Sequence, residues 1–305
     1  MIKNFDELLQ EAQKKSRRRE APMKVVVAAG QDPAALSALW DAKKLGIAEG
    51  ILVGDKSPII EALKRLDLPA DAFEMVDETD ERAIGQKSML MIREGQAEIV
   101  MKGKIKTATL FKAVLDPETG LRTGRLISDV FIFEFPNRSE NQLIMITDGG
   151  VNLVQDLRQK MCIVENAVIV AHALGNMLPK IAVLSSTETV NPDLPSTIDA
   201  AILSKMNQRN QISGCLVDGP LALDNAISED AARQKGIQSE VAGKADILLC
   251  PGIESANMLA KSTTYFANLP LAHVCIGAKA PILIPSRSDS AQAKLLSIAL
   301  SVVVC

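Results

Sequence analysis

Residues 23–55, MKVVVAAGQDPAALSALWDAKKLGIAEGILVGD, decide the architecture. MKVVVAAG is an unbroken aliphatic, β-branched run of the kind that lies buried on both faces of a parallel sheet. Asp32-Pro33 follows at once, an N-cap carboxylate ahead of a proline whose missing N–H costs nothing in a first helical turn. The apolar spacing then predicts a helix to about Leu45 and a second strand at residues 50–53. Two such strands joined by a helix form a βαβ unit, and a connection of this length makes them parallel.

The pattern extends outward from there. Helices are expected over residues 57–66, 79–94 and from about Lys106, with strands at 73–76 and 97–101. Residues 4–19 read as an amphipathic helix ending in the basic run 14–19. That run is read as a solvated helix end, because cations suit a helix C-terminus. At residues 116–125, DPETGLRTGR, the rhythm breaks. Two β segments follow, 126–135 and 142–147, around a turn at 136–139. A long helix (152–175) then restores the alternation, with strands near 181–184, 212–217, 246–249, 272–275 and 281–284. The last helix, 289–304, lacks a partner in the second half, so it is expected to return to the first. The resulting division is residues 1–126 with 283–305 as a first α/β domain and 127–282 as a second.

Composition narrows the function. The 305 residues are 47% apolar, 23% charged and only 3% aromatic, with a net charge of −3. That balance argues against nucleic-acid binding, which favours basic faces and stacking aromatics. Five scattered cysteines, an odd number without a CxxC pair, fit a reducing compartment. With two histidines, His172 and His273, no zinc motif is present and no metal site is expected. A charged N-terminus and the lack of a long apolar run predict a cytoplasmic protein that does not span a membrane. The GxGxxG, GxxxxGK[ST] and GxSxG motifs are all missing.

What remains lies at predicted strand ends, where open α/β sheets bind ligands. MKGKIKT (101–107) turns on Gly103 into a helix; its amides and lysines suit an anion, and a plain βα turn with solvated lysines fits equally well. TDGGVN (147–152) reads as strand, glycine turn and helix start, with Asp148 as a cap or turn residue. VDGPLALD (217–224) has a carboxylate at each end of a turn, and turn chemistry is its simplest reading. Asn257 and Lys261 stand four apart, on one helical face. IPSRSDS (284–290) places an arginine among hydroxyls and a carboxylate before a helix, which suits phosphate oxygens. The competing reading there is an N-cap run at Ser288 or Asp289 with Arg287 in a salt bridge.

Taken together, these segments resemble the phosphate acetyl/butyryltransferase family, its butyryl branch most closely. The resemblance runs from about Lys24 to the C-terminus. It is carried by GIAEGILVGD (46–55), MKGKIKTATLFKAVL (101–115), GLRTGRLISDVFIFE (120–134), VDGPLALDNAIS (217–228), KGIQSEVAGKADILLCPGIESANMLAK (235–261) and PILIPSRSDS (281–290). It implies two open α/β domains with a cleft between them, similar to isocitrate and isopropylmalate dehydrogenases, the second serving as dimerisation domain. The implied reaction is acyl-CoA + phosphate ⇌ acyl phosphate + CoA, run by a dimer or higher homo-oligomer with no prosthetic group. The implied catalytic residues are Ser286 and Arg287, with Asp289 the nearest candidate base. The implied substrate-binding residues are Ser128, Asn257 and Lys261, to which the strand-end reading adds Lys102, Gly103, Thr107, Asp148 and Asn152. The chain departs from the family at Ser255-Ala256 (usually Ala-Gly), at Ala260 (usually Tyr) and at Ala293, where the acetyl branch carries an Asp. No cysteine has a histidine beside it in sequence, so direct acyl transfer is preferred to an acyl-enzyme. The alternatives are a phosphate acetyltransferase proper, a metal-dependent decarboxylating dehydrogenase on the same fold, and a non-catalytic CoA- or acyl-phosphate-binding protein.

Overall fold

The computed structural model describes residues 1–136 and 142–305; the turn expected at 136–139 lies, beyond Pro136, outside them. Along the chain run α1 (Phe5–Arg17), β1 (Lys24–Ala28), α2 (Pro33–Lys44), β2 (Glu49–Gly54), α3 (Lys56–Arg65), β3 (Glu74–Asp77), α4 (Glu81–Arg93), β4 (Ile99–Lys102) and α5 (Thr107–Val114). Then come β5 (Ser128–Phe135), β6 (Gln142–Thr147), α6 (Leu157–Ala173), β7 (Lys180–Leu184), α7 (Pro195–Gln208), β8 (Leu216–Leu221), α8 (Leu223–Ile227) and α9 (Glu229–Gln234). The chain ends with β9 (Ile247–Leu249), α10 (Ile253–Tyr265), β10 (Leu271–Ile276), β11 (Ile282–Leu283) and α11 (Ala291–Val304). Among the described residues, no helix is long and apolar enough to cross a membrane.

These elements form two compact units: Phe5–Arg125 with Ala272–Cys305 (the first) and Met1–Asn4 with Leu126–Leu271 (the second). The sequence reading carried the second domain to residue 282. In the structure β10 and β11 group with the first unit, because β11 pairs with β4 and β10 with β11. Residues 1–4 join the second unit, where the Ile2 N–H donates to Leu174 O at 2.8 Å.

In the first unit the strand order is β3-β2-β1-β4-β11-β10, parallel except for β10. From β1 the chain proceeds to β2 and β3 on one side, and β4 lies on the other. The carboxyl ends of β1 and β4 therefore flank a topological switch point, the place where open α/β sheets bind ligands. The strand valines Val25, Val26 and Val27 are fully buried, as a two-sided sheet requires. Asp32 caps α2 as the sequence predicts, accepting from the Ala34 and Ala35 N–H groups. Helix α11 is apolar almost all round and packs against α1 and α2. The basic end of α1 is not simply solvated. Lys15 Nζ donates to Val303 O at 2.9 Å, at the C-terminus of α11, and Arg19 pairs with Glu98 at 2.5 Å.

In the second unit the order is β5-β6-β9-β7-β8, with β5 and β6 antiparallel and the other pairs parallel. Two elements differ from the sequence reading. Helix α6 begins at Leu157 rather than near Asn152, with Asp156 and Gln159 forming its capping box. Strand β8 covers Leu216–Leu221 rather than 212–217. The Asn207 side chain holds the stretch before it in a loop, donating to Ile212 O and Cys215 O and accepting from the Val217 N–H. Beyond that loop β8 passes β7 so closely that a Cβ on Gly219 would lie 2.7 Å from Val183 O. Pro220 is tolerated because β8 is an edge strand.

Gly219→Ala is expected to lower the free energy of unfolding by about 1–3 kcal/mol through this overpacking. Urea denaturation followed by circular dichroism measures it, and an unchanged midpoint would show that β7 and β8 separate freely.

Candidate active site

Three neighbouring parallel strands of the first unit, β1, β4 and β11, bring their carboxyl ends together. The β4 turn is laced to β1. The Gly103 N–H donates to Ala28 O and the Lys104 N–H to Ala29 O, both at 2.9 Å. A Cβ at Gly103 would lie 2.1 Å from Ala29 O, so only glycine permits this approach. The Lys106 N–H is occupied as well, by Glu81 Oε1 at 2.6 Å. These three amides are spent within the protein, whereas Lys106, the N-cap of α5, makes no side-chain bond to the amides of the first helical turn. Lys104, Lys106 and Thr107 are exposed, whereas Lys102 is only 8% exposed. Burial pushes the Lys102 ammonium below its ordinary pKa; nearby Arg287 and Lys294 act the same way, and Asp32 and Asp289 oppose.

The segment after β11 is a closed turn. The Ser286 N–H donates to Asp289 Oδ2 at 2.7 Å, the Asp289 N–H returns to Ser286 O at 3.2 Å, and the hydroxyls of Ser286 and Ser288 are 3.1 Å apart. Helix α11 is capped by Ser290, not by Ser288 or Asp289. Arg287 is exposed, and its guanidinium has no ion pair among the described residues. Neither half of the competing reading, an N-cap run with a salt-bridged arginine, is therefore realised. Lys294 reaches this turn from α11. Its Nζ donates to Asp289 O at 3.1 Å and Ser286 O at 3.4 Å and lies 3.8 Å from Asp32 Oδ2. In the sequence Lys294 belongs to no motif, and Asp32 reads only as a cap. The missed signal is that Lys294 is the single charged residue in AQAKLLSIALSVVV.

In the second unit a different set gathers where β6, β9 and the start of β5 adjoin. The Asp148 carboxylate is fully buried. It accepts from the backbone N–H groups of Asp129, Gly150, Val151 and Asn152 and from Asn152 Nδ2. This collection of donors makes residues 148–152 a fixed turn and explains why α6 starts later than expected. Burial, with the Asp129 carboxylate behind it, raises the Asp148 pKa, and the donated hydrogen bonds oppose the shift. Asn257 joins the same loop, Nδ2 donating to Gly149 O at 2.8 Å. Ser128 is fully buried with its Oγ accepting from Asn166 Nδ2 at 2.8 Å. Lys261 is exposed one turn beyond Asn257.

Two of the three departures from the family pattern have local settings. Ser255 Oγ donates to Gly252 O at 2.7 Å and accepts from the Gly252 N–H, closing the first turn of α10. Ala256 and Ala260 are core residues. Asp218 and Asp224 are occupied locally, Asp218 with the Gly219 N–H and Asp224 with Lys235. Burial pushes the Cys215 thiol up to about 11 and that of Cys250 to about 12, which makes either a poor nucleophile at neutral pH.

Lys102→Met is expected to raise stability at neutral pH. With a depressed pKa, Lys102 holds its proton less tightly in the folded than in the unfolded chain. Stability therefore rises with pH between that depressed value and the ordinary lysine range. Urea denaturation at neutral pH and at about pH 9.5 should show this slope reduced in the variant; an equal slope in both proteins would refute the assignment.

Comparison with known proteins identifies the family. Residues 82–302 match the family model described as phosphate acetyl/butaryl transferase. The chain is 44% identical over 304 residues to a phosphate butyryltransferase of Clostridium acetobutylicum, covering 100% of this chain and 99% of that protein. It is 42% identical over 280 residues to a phosphate acetyltransferase of Thermotoga maritima, covering 92% and 94%. A solved branched-chain phosphotransacylase from Enterococcus faecalis V583 superposes with a TM-score of 0.82 at 32% identity, over 92% of this chain and 98% of that one. The chain belongs to the phosphate acetyl/butyryltransferase family of acyltransferases.

Proposed function

We propose that this chain is a phosphate butyryltransferase, catalysing butyryl-CoA + phosphate ⇌ butyryl phosphate + CoA by direct transfer. The observation that carries the chemistry is an exposed Arg287, without an ion pair among the described residues, near a buried Lys102 at the switch point of a parallel sheet. What favours butyryl is coverage: likeness to the Clostridium acetobutylicum enzyme spans this whole chain, and likeness to the Thermotoga maritima acetyltransferase 92% of it.

The guanidinium of Arg287 would hold two phosphate oxygens in parallel while Lys102 neutralises a third. In one direction a phosphate oxygen attacks the thioester carbonyl carbon, the C–O bond forms, and the C–S bond breaks to release the CoA thiolate. In the other, the CoA sulfur attacks the acyl phosphate carbonyl carbon, the C–S bond forms, the bond from that carbon to the phosphate oxygen breaks, and phosphate leaves. The thiol proton passes to a base, for which Asp289 is our candidate. The oxyanion formed between these steps needs a donor. With the Gly103 and Lys104 amides occupied, we give the role to the Ser286 hydroxyl, whose partner is the Ser288 hydroxyl. We assign Asn257 and Lys261 to substrate binding, Lys261 as a counter-charge for CoA phosphates; the buried Asp148 and Ser128 and the hydrogen-bonded Asn152, first read as binding residues, shape the loop instead. The working form is proposed to be a cytoplasmic homodimer that needs no prosthetic group.

Thiol release from butyryl-CoA and acetyl-CoA, with and without phosphate, tests the proposal. Release should require phosphate and favour butyryl-CoA by roughly tenfold or more, since each methylene contributes about 1–3 kcal/mol of discrimination. Arg287→Ala should lose on the order of 100-fold or more in kcat/KM. A preference for acetyl-CoA would make the chain an acetyltransferase. No release with either, from folded protein, would sink the catalytic reading and leave a CoA-binding protein.

A further inference from the structure

Lys294 lies in the first turn of a largely apolar helix that carries no other charge, and its side chain has no solvent exposure. An ammonium in such a place is costly unless each of its three hydrogens finds an acceptor, and a methionine or leucine would fill the same volume without that cost. The acceptors present are specific. Two are the carbonyls of Ser286 and Asp289, the first and last residues of the turn that carries Arg287. The third direction faces Asp32 Oδ2, while Asp32 Oδ1 caps α2. One buried charge thus ties the loop after β1 to both ends of the loop after β11, under the carboxyl end of β4.

We propose that Lys294 is a positioning residue for the phosphate subsite. It fixes the Ser286–Asp289 turn from beneath and so determines where the Arg287 guanidinium and the Ser286 hydroxyl are presented. The inference rests on reading that turn as the phosphate holder. Lys294 itself does not touch substrate. Its contacts are with the two carbonyls and Asp32, so its loss should be felt by phosphate and not by the acyl-CoA. Lysine and methionine have similar length, so Lys294→Met removes the three polar contacts and leaves the packing of α11 largely intact.

The test uses the full chain as wild type, Lys294→Met, Asp32→Asn and the double variant, with two measurements on each. Steady-state thiol release gives KM for phosphate and for butyryl-CoA separately, and thermal unfolding with and without inorganic phosphate reports binding without turnover. Lys294→Met should raise the phosphate KM by about tenfold or more, a displaced binding group being able to cost up to ~100-fold. It should leave the butyryl-CoA KM within about twofold and lose the phosphate-induced rise in Tm. Asp32→Asn keeps the α2 cap, since asparagine caps as well as aspartate, and should move the same quantities less far. Should Lys294→Met fail to fold, the double variant removes the carboxylate left unpaired and is measured in its place. A folded variant with an unchanged phosphate KM, or with equal losses for both substrates, overturns the proposal. Absence of phosphate-dependent release in the wild type would instead fault the transferase reading. The thermal measurement then decides alone: a phosphate shift present in wild type and lost in Lys294→Met upholds the role, and no difference between them overturns it.

Discussion

A positive charge buried under a turn must be given acceptors, and acceptors buried in the same place must be given donors. In the first unit this single constraint ties together elements far apart in sequence. Lys294 needs the carbonyls of Ser286 and Asp289, and it needs Asp32. Asp32 is available because β1 ends beside β4, and the carbonyls are available because β11 pairs with β4 on its other side. The order β1-β4-β11 is therefore a requirement of the site. It accounts for the return of the last strands and helix to the unit in which the chain began.

The second unit meets the mirror-image problem. Asp129 and Asp148 put two carboxylates into the interior, and like charges there raise the cost of ionising both. The backbone answers by turning four N–H groups toward Asp148, with the Asn152 amide as a fifth donor. Carbonyls gather round a lysine in one unit and amides round an aspartate in the other. Each arrangement yields a turn whose shape is set by a buried ion, at the end of a strand where an open sheet binds ligands.

Most of this fold was legible in the sequence because the strands are continuous aliphatic runs and the helices carry caps such as Asp32. The errors occurred where a side chain overrides local pattern. Nothing in GGVN reveals that Asp148 will take up the amides that a helix starting at Asn152 would otherwise use. Nor does the apolar run 212–217 reveal that Asn207, ten residues before Val217, holds its first half in a loop. The site was legible as a set of motifs but not as a geometry. Lys102 and Lys104 look alike in MKGKIK, but Lys102 is the last, buried residue of β4 and Lys104 lies beyond the strand in the Gly103 turn, exposed. Lys294 is overshadowed in the sequence by its neighbour Ala293, where the family resemblance implies an aspartate in the acetyl branch.

That neighbouring pair bears on the chemistry. A carboxylate beside the Ser286-Arg287 turn would serve as a base but would also repel a phosphate dianion. This chain has alanine there and a lysine next to it. Lys102, Arg287 and Lys294 stand against Asp32 and Asp289, three cations to two carboxylates, which leaves one net positive charge at these strand ends. The depressed pKa of Lys102 comes chiefly from its burial; of the charges around it Asp32 and Asp289 raise it, and Arg287 and Lys294 lower it. A bound dianion would reverse the sign of the local field and raise the proton affinity of Lys102 again, so anion binding and proton retention are linked there. A site built this way gains its affinity for phosphate from a cation that is poorly solvated in the empty state. It has less need of an added base, because a CoA thiol is acidic enough for a base to supply only part of the acceleration.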